Sequence, residues 1–244
     1  MSATFENNYK LDRNFFLVYV LLIWLGIGVG FGRDIVRHFQ ALLPPYPLIV
    51  HFHAAAFVGW LLLLTVQILL IRALKLQTHR QLGVFGAVLA LAMVLLGPAT
   101  AVIVDGLKFG QPGSNPAFLS VQFTDILAFA GLVTAAIVLR KHAAAHKRLI
   151  LLATLYISDA GWSRWLGSSI VAIFGTGYCS TLARLYLSSD LLVVGLGVYD
   201  YVTRRRLHPA YVGGVVWTVA NQLTAVALLS SPAWGSIALH LIGH

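Results

Sequence analysis

Residues 49–67, IVHFHAAAFVGWLLLLTVQ, decide the fold, because this stretch is apolar enough to lie in a bilayer and yet carries two histidines and a glutamine. In a helix of 3.6 residues per turn, His53, Trp60 and Gln67 fall within about 40° of one another, whereas His51 lies roughly 200° from His53. Ionisable side chains at membrane depth are costly and usually face a bundle interior or a water-filled cavity. The stretch therefore predicts a membrane helix that forms one wall of such a cavity.

The composition of the whole chain agrees with a membrane protein. Of its 244 residues, 59% are hydrophobic and 10% are charged, and the mean hydropathy is +0.82. Soluble domains carry about 25% charged residues. The net charge of +9 is gathered in short segments between apolar runs, which is typical of topology signals and excludes a solvated nucleic-acid-binding face. A single cysteine, Cys179, excludes a disulfide framework and a cysteine metal cluster within one chain.

Seven apolar segments are long enough to span a bilayer, which takes about 20 residues. We predict an all-α bundle of seven transmembrane helices in a single domain, residues 1–244, with spans at residues 15–31, 48–73, 82–104, 118–139, 149–174, 181–202 and 210–229. The remaining tail is too short to span and is expected at the surface. Cationic residues favour an N-in, C-out orientation. Twelve of them fall on the predicted inner side, Lys10, Arg13, Arg72, Lys75, Arg80, Arg140, Lys141, Lys147, Arg148, Arg204, Arg205 and Arg206, and four on the outer side, Arg33, Arg37, Lys108 and Arg184.

A short internal repeat is visible at two inner helix starts. His79-Arg80 follows the second predicted span, and His146-Lys147 follows the fourth, so both pairs precede a helix at the same side of the membrane. The repeat predicts two similar hairpins that pack as a four-helix core from the second to the fifth span. The first, sixth and seventh spans are then expected to be peripheral.

Three motifs carry a resemblance, IVHFHAAAFVGWLLLLTVQ, HRQLGVFGAVLALAMVLLG and HKRLILLATL. Together they resemble a group of uncharacterised bacterial multi-pass membrane proteins, over the second to fifth spans. The hairpins are also similar, more distantly, to b-type haem membrane proteins built from histidine-bearing helix pairs. The resemblance implies a bundle fold and a bacterial inner-membrane location, and it assigns no reaction.

Polar side chains are expected to converge in the outer half of the bundle. His53 and Asp125 lie near the outer ends of two spans that run in the same direction, while Asp159 and Asp190 lie deeper. Imidazole and carboxylate groups suit a metal ion such as zinc, iron or copper. We therefore interpret His51, His53 and Asp125 as candidate metal ligands.

The candidate catalytic or proton-relay groups around that site are Asp159, Arg164 and Asp190. An equally weighted structural interpretation makes Arg164 the neutralising partner of Asp159 or Asp190 in an intramembrane ion pair. The seventh predicted span places Asn221 and Gln222 near mid-membrane.

The inner side offers His79 and His146 as candidate axial ligands of a b-type haem across the repeat. The structural alternative, which we favour, is that the run RKHAAAHKR forms a basic interfacial turn against anionic lipid headgroups. Arg204, Arg205 and Arg206 are interpreted as an orientation anchor. The glycines of the first span, Gly26, Gly28 and Gly30, are expected to permit close helix packing.

Three functional hypotheses follow. The first is a histidine- and aspartate-based metal or haem protein that acts in redox or metal-dependent chemistry on a small or lipophilic substrate. The second is a proton-coupled small-molecule transporter that uses the same carboxylates without a metal. The third is a non-catalytic membrane subunit that binds a partner protein. The expected partners are the lipid bilayer, a lipophilic small molecule and a homo- or hetero-oligomeric assembly, and no nucleic acid.

Overall fold

The structure, a computed structural model, is built from helices. It describes residues 9–244 except for the side chains of residues 9–11 and 13, so the predicted topology charges on Lys10 and Arg13 lie outside the described residues. The helices are α1 (Tyr9–Gln40), α2 (Leu48–Arg72), α3 (Leu76–Lys108), α4 (Leu119–Val138), α5 (Ala143–Ile157), α6 (Asp159–Phe174), α7 (Tyr178–Arg204), α8 (Pro209–Leu229) and α9 (Pro232–Leu241). A 3₁₀ turn, Pro116–Phe118, precedes α4, and no strand occurs among residues 9–244. The predicted all-α class is confirmed.

Six segments are long and apolar enough to cross a membrane by length and composition: Asn14–Gln40, Leu48–Arg72, Leu76–Lys108, Pro116–Val138, Tyr178–Arg204 and Pro209–Leu229. They match six of the seven predicted spans. The other predicted span, residues 149–174, is divided between α5 and α6. The protein is therefore an integral membrane bundle, and the fifth predicted span is interrupted between two helices.

The break lies at Ser158, between two helical segments. The Ser158 hydroxyl donates a hydrogen bond to the Leu155 carbonyl oxygen at 2.6 Å, and its backbone N–H is shared between Thr154 and Leu155. Serine side chains that bond back to the preceding turn bend helices. A new helix then begins at Asp159, with its first backbone N–H groups bonded to the Ser158 carbonyl oxygen.

Several helices extend beyond the predicted apolar spans. α1 continues to Gln40 and includes Arg33 and Asp34, which the sequence placed in a loop, and α3 begins at Leu76 and passes through Pro98. A side chain caps the start of α9, where Ser231 accepts a hydrogen bond from the Trp234 N–H. The C-terminal tail, expected at the surface, contains this ten-residue helix.

The helices pack as two units. α6 packs closely on both α1 and α7, and Phe15 of α1 stacks on Tyr199 of α7, so these three helices form one unit. The helices α2, α3, α4, α5 and α8 form a five-helix unit. Contacts between the units are sparser, and the chain crosses from one to the other at Ser158 and at the loops before α2 and after α7. We call the end of the bundle that holds the α2–α3, α4–α5 and α7–α8 turns the basic end.

The core is wider than the four helices that the repeat predicts. α2, α3, α4 and α5 do pack in sequence as two hairpins. The continuous core nevertheless includes Ile23 of α1, Leu196 of α7 and Tyr211 of α8, so the helices predicted to be peripheral contribute to it. α5 lies at its centre, because every residue from Leu151 to Tyr156 is buried.

Candidate functional site at the helix break

The break at Ser158 positions a buried carboxyl group. Asp159 is the first residue of α6 and is 3% exposed. The carboxyl group of Asp125, from α4, lies against it. The two acidic residues thus belong to different helix units and meet between them.

Two tyrosines complete this contact. The Tyr186 hydroxyl, from α7, donates a hydrogen bond to Asp125 Oδ1 at 3.3 Å. The Tyr156 ring, at the end of α5, lies parallel to the Tyr186 ring with centroids 5.8 Å apart, and its hydroxyl faces both carboxyl groups. Tyr156 is 2% exposed, so its hydroxyl depends on the groups around it for hydrogen bonding.

Asp190 extends the site one turn along α7 from Tyr186. Its Oδ1 accepts a hydrogen bond of 2.8 Å from the Gln222 side-chain amide of α8, and its charge reaches Asp159. We define the carboxylate cluster as Asp125, Tyr156, Asp159, Tyr186, Asp190 and Gln222. The sequence predicted the convergence of its three aspartates and its glutamine, and it missed the two tyrosines.

The cluster has polar atoms that the described side chains do not satisfy. Asp159 Oδ1 and the Tyr156 hydroxyl are buried and have no hydrogen-bond partner among the described residues. Buried polar groups in proteins are nearly always paired, and exceptions commonly mark functional sites. The cluster is therefore equipped to take up a further proton or polar ligand.

No basic side chain forms an ion pair with the cluster within the described part of the chain, although the charge of Arg164 acts on Asp159. All ion pairs there involve Asp12, Asp34 or Asp200. The predicted pairing of Arg164 with Asp159 or Asp190 is replaced by a pair between Arg164 Nε and Asp34 Oδ2 at 3.0 Å, with the two side chains 41% and 39% exposed. Asp125 and Asp159 therefore lie side by side, and neither carboxyl group forms an ion pair with a described residue.

The predicted outer metal ligands are not brought together. His51 is exposed on α2, whereas His53 stacks on Phe57 with ring centroids 4.2 Å apart and contacts the Leu96 backbone of α3. Among residues 9–244, no group of three or more His, Cys, Asp or Glu side chains is arranged to hold a metal ion. The geometry thus gives no support to the set His51, His53 and Asp125, and metal binding stays a prediction.

The predicted haem ligands lie at the basic end. His146 Nδ1 donates to the Ala136 carbonyl oxygen at 2.9 Å, which satisfies a carbonyl in the last turn of α4. The imidazoles of His79 and His146 are close enough to interact electrostatically, and Gln67 Nε2 donates to the His79 carbonyl oxygen at 3.1 Å. The Gln67–His79 bond lies within the α2–α3 hairpin and the His146–Ala136 bond lies within the α4–α5 hairpin, at matching places. Haem binding through the pair stays a prediction.

The basic end also contains a network that the sequence analysis missed. We define the charge clamp as Asp12 of α1, Lys147 and Arg148 of α5, and Asp200 and Arg204 of α7. Arg148 pairs with Asp200 through two nitrogens, with Nε donating to Oδ2 at 2.6 Å, and Lys147 pairs with Asp12. Arg204 Nη2 donates to Asp12 Oδ1 at 2.7 Å and its Nη1 reaches Asp200 Oδ1 at 3.5 Å.

The clamp takes up part of the run interpreted as a basic turn against lipid headgroups, whereas Arg140 and Lys141 are exposed, and their contact with headgroups stays a prediction. Lys147 and Arg148 turn into the bundle, and Arg204, expected as an orientation anchor, is buried. The available signal was the presence of Asp12 and Asp200 at the same predicted membrane side. Burial alone would raise the pKa of Asp12, but hydrogen bonds from Lys147, Tyr199 and Arg204 hold it below its ordinary value.

His208 borders the clamp. Its Nδ1 accepts a hydrogen bond from the Ala210 N–H and so caps α8. Burial and the positive charges of Arg148, Lys147 and Arg204 lower the pKa of His208 to about 4, against an opposing contribution from Asp200. His208 therefore stays neutral at physiological pH and adds no charge to this end of the bundle.

Comparison with known proteins gave no match: no family model, no curated protein and no solved structure is similar to this chain.

Proposed function

We propose that the protein is a proton-coupled transporter of a small molecule, in which Asp125 and Asp159 share the coupling proton. One observation carries the proposal: the carboxyl groups of Asp125 and the buried Asp159, which form no ion pair with a described residue, meet at the interface of two helix units beside the helix break at Ser158. Intramembrane carboxyl groups recur in proton relays. Broken helices at a repeat or bundle interface recur at the binding sites of secondary transporters.

Each group in the carboxylate cluster has a distinct part in this proposal. Asp125 and Asp159 hold the proton, and the Tyr186 hydroxyl orients Asp125 by its hydrogen bond. Asp190, held by Gln222, is the next acidic group along α7 and can receive the proton when the pair releases it. A change in the separation of the two units would alter the distance between Asp125 and Asp159, and so would change their hold on the proton.

The competing hypotheses have weaker geometric support. Metal-dependent chemistry lacks an assembled ligand set around His53, and a purely structural subunit gives no reason to bury unneutralised carboxyl groups in the bundle. The proposed substrate is a small molecule. The proposed location is the bacterial inner membrane, for which the resemblance to bacterial multi-pass proteins is the support.

Proton flux in proteoliposomes tests the proposal. Liposomes containing a trapped pH-sensitive dye receive, in turn, amino acids, amines, organic acids, sugars and alkali cations, and solute-dependent changes of internal pH are recorded. We expect at least one solute to move protons through the parent protein. Asp125→Asn and Asp159→Asn should each abolish this flux, because an amide cannot take up the proton.

Asp34→Asn is the matched control, since it makes the same substitution on an exposed aspartate outside the cluster. It should retain the flux. If no solute moves protons through the parent protein, or if Asp125→Asn and Asp159→Asn behave like the parent, the transporter proposal is wrong.

A further inference from the structure

The charge clamp joins the two helix units at the basic end. Asp12, Asp200 and Arg204 belong to the three-helix unit, whereas Lys147 and Arg148 belong to the five-helix unit. The pairs Lys147–Asp12 and Arg148–Asp200 therefore cross the interface. They are the ion pairs that do so among the described residues, since the Arg164–Asp34 pair lies within the three-helix unit.

The charge clamp and the carboxylate cluster lie at the same interface between the two helix units. Asp190 and Asp200 are ten residues apart on α7, which corresponds to about 15 Å along the helix axis. Fully buried apolar side chains, including Leu155 and Leu196, fill the space between the two sites. With the clamp formed, packed side chains and a closed charge network separate the cluster from water at the basic end.

We expect the three-helix unit to move as a single rigid body. The backbones of α1 and α6 are in direct contact, because a Cβ atom added at Gly30 would lie 2.1 Å from the Gly161 carbonyl oxygen. A displacement of Asp12 away from Lys147 would thus carry α6, and with it Asp159, relative to Asp125.

An ionic closure of this kind is reversible. Ion pairs inside a protein add little net stability because both charges lose their hydration, but separated charges regain that hydration when water enters. Lys147 already reaches the surface, with its side chain 29% exposed, so water can enter the clamp from that edge. Opening an interface closed by packed apolar side chains would instead expose those side chains to water, which is unfavourable.

We propose that the charge clamp is the gate at the basic end of the transport pathway, and that its release lets the three-helix unit turn about Ser158 and opens the carboxylate cluster to water on that side. The assignment rests on the proposed transport function. In the conformation described here the gate is closed.

Thiol accessibility tests the gate without a transport substrate. The native Cys179 is replaced by Ser, and Ser189→Cys places a nearly isosteric thiol at a buried position beside Asp190. The rate of its reaction with a charged, membrane-impermeant thiol reagent is measured in sealed right-side-out and inverted vesicles. We expect slow labelling with the clamp intact. Adding Asp12→Asn should raise the rate about tenfold from the side of the basic end, because the α1–α5 pair is lost.

Three further variants make the result specific. Asp12→Glu keeps the carboxylate and should restore slow labelling, Lys147→Gln removes the other partner and should act like Asp12→Asn, and Asp34→Asn should change nothing. Unchanged labelling in both Asp12→Asn and Lys147→Gln would overturn the gate, as would equal acceleration by Asp34→Asn, which would indicate general loosening. Accelerated labelling in a protein that moves no protons would leave the gate standing and refute the transport proposal instead.

Discussion

The Arg148 side chain in the clamp is only 1% exposed, and both oxygens of Asp200 receive its hydrogen bonds. Arg148→Met would leave Asp200 in the interior with only the 3.5 Å contact from Arg204 Nη1 among its clamp partners. Removing one partner of a buried pair costs about 3–5 kcal/mol, because the remaining charge stays desolvated. We expect that loss in the free energy of unfolding, measured by denaturant titration in detergent.

The double variant Arg148→Met/Asp200→Leu is the matched comparison. It removes both charges and fills the site with apolar groups, so it should recover most of the lost stability. Equal destabilisation of the single and double variants would show that Arg148 acts through packing and not through its charge.

The acidic residues divide sharply in how well the sequence predicts them. Asp125, Asp159 and Asp190 stand inside apolar spans, where a charge is conspicuous, and helix depth alone brings them to one region. Asp12 and Asp200 stand near span ends, where charges are expected, so the only sequence signal of their burial is that both lie at the same predicted membrane side. Tyr156 and Tyr186 are missed for the opposite reason, since aromatic residues in a membrane helix ordinarily pack without a polar role.

At the scale of the helix, the α1–α6 contact makes a selective prediction. Gly30 meets the Gly161 backbone, whereas a Cβ at Gly28 would meet nothing within 4 Å. Gly30→Ala should therefore separate the helices and lower the thermal midpoint by an amount equivalent to about 1–3 kcal/mol. The measurement is thermal unfolding in detergent.

Gly28→Ala is the control on the same helix and should be neutral or slightly stabilising, because alanine favours helix over glycine. Similar midpoints for the two variants would contradict the close packing. The glycine prediction from sequence is thus confirmed for Gly26 and Gly30, since Gly26 packs against Trp162, and it is wrong for Gly28.

Helix boundaries and the break are the features that apolar patterning does not predict. Hydropathy marks the part of a helix that is apolar, but hydrogen bonding continues through charged turns, so α1 and α3 run well past their predicted ends. The run Ser158–Asp159 resembles any small polar interruption of a span. The structural effect of this interruption depends on which helices α5 and α6 pack against, and tertiary packing determines those partners.

At the scale of the whole molecule, the two helix units connect the features of the site. The carboxylate cluster and the charge clamp both lie where the units meet, and Ser158 joins the units covalently. The repeat predicts hairpins and the spans predict depth, but neither predicts that α1, α6 and α7 pack together, because their contacts are between distant parts of the chain. Exchange of a proton between Asp125 and Asp159 is the step that this arrangement is proposed to control.

Infrared spectroscopy of the purified protein tests that shared proton most directly, since a protonated carboxylic acid has a carbonyl band distinct from that of a carboxylate. The expected result is such a band in the parent protein that disappears or shifts in both Asp125→Asn and Asp159→Asn and persists in Asp34→Asn. A spectrum in which neither cluster variant alters any carboxylic acid band would contradict a proton held between these two groups.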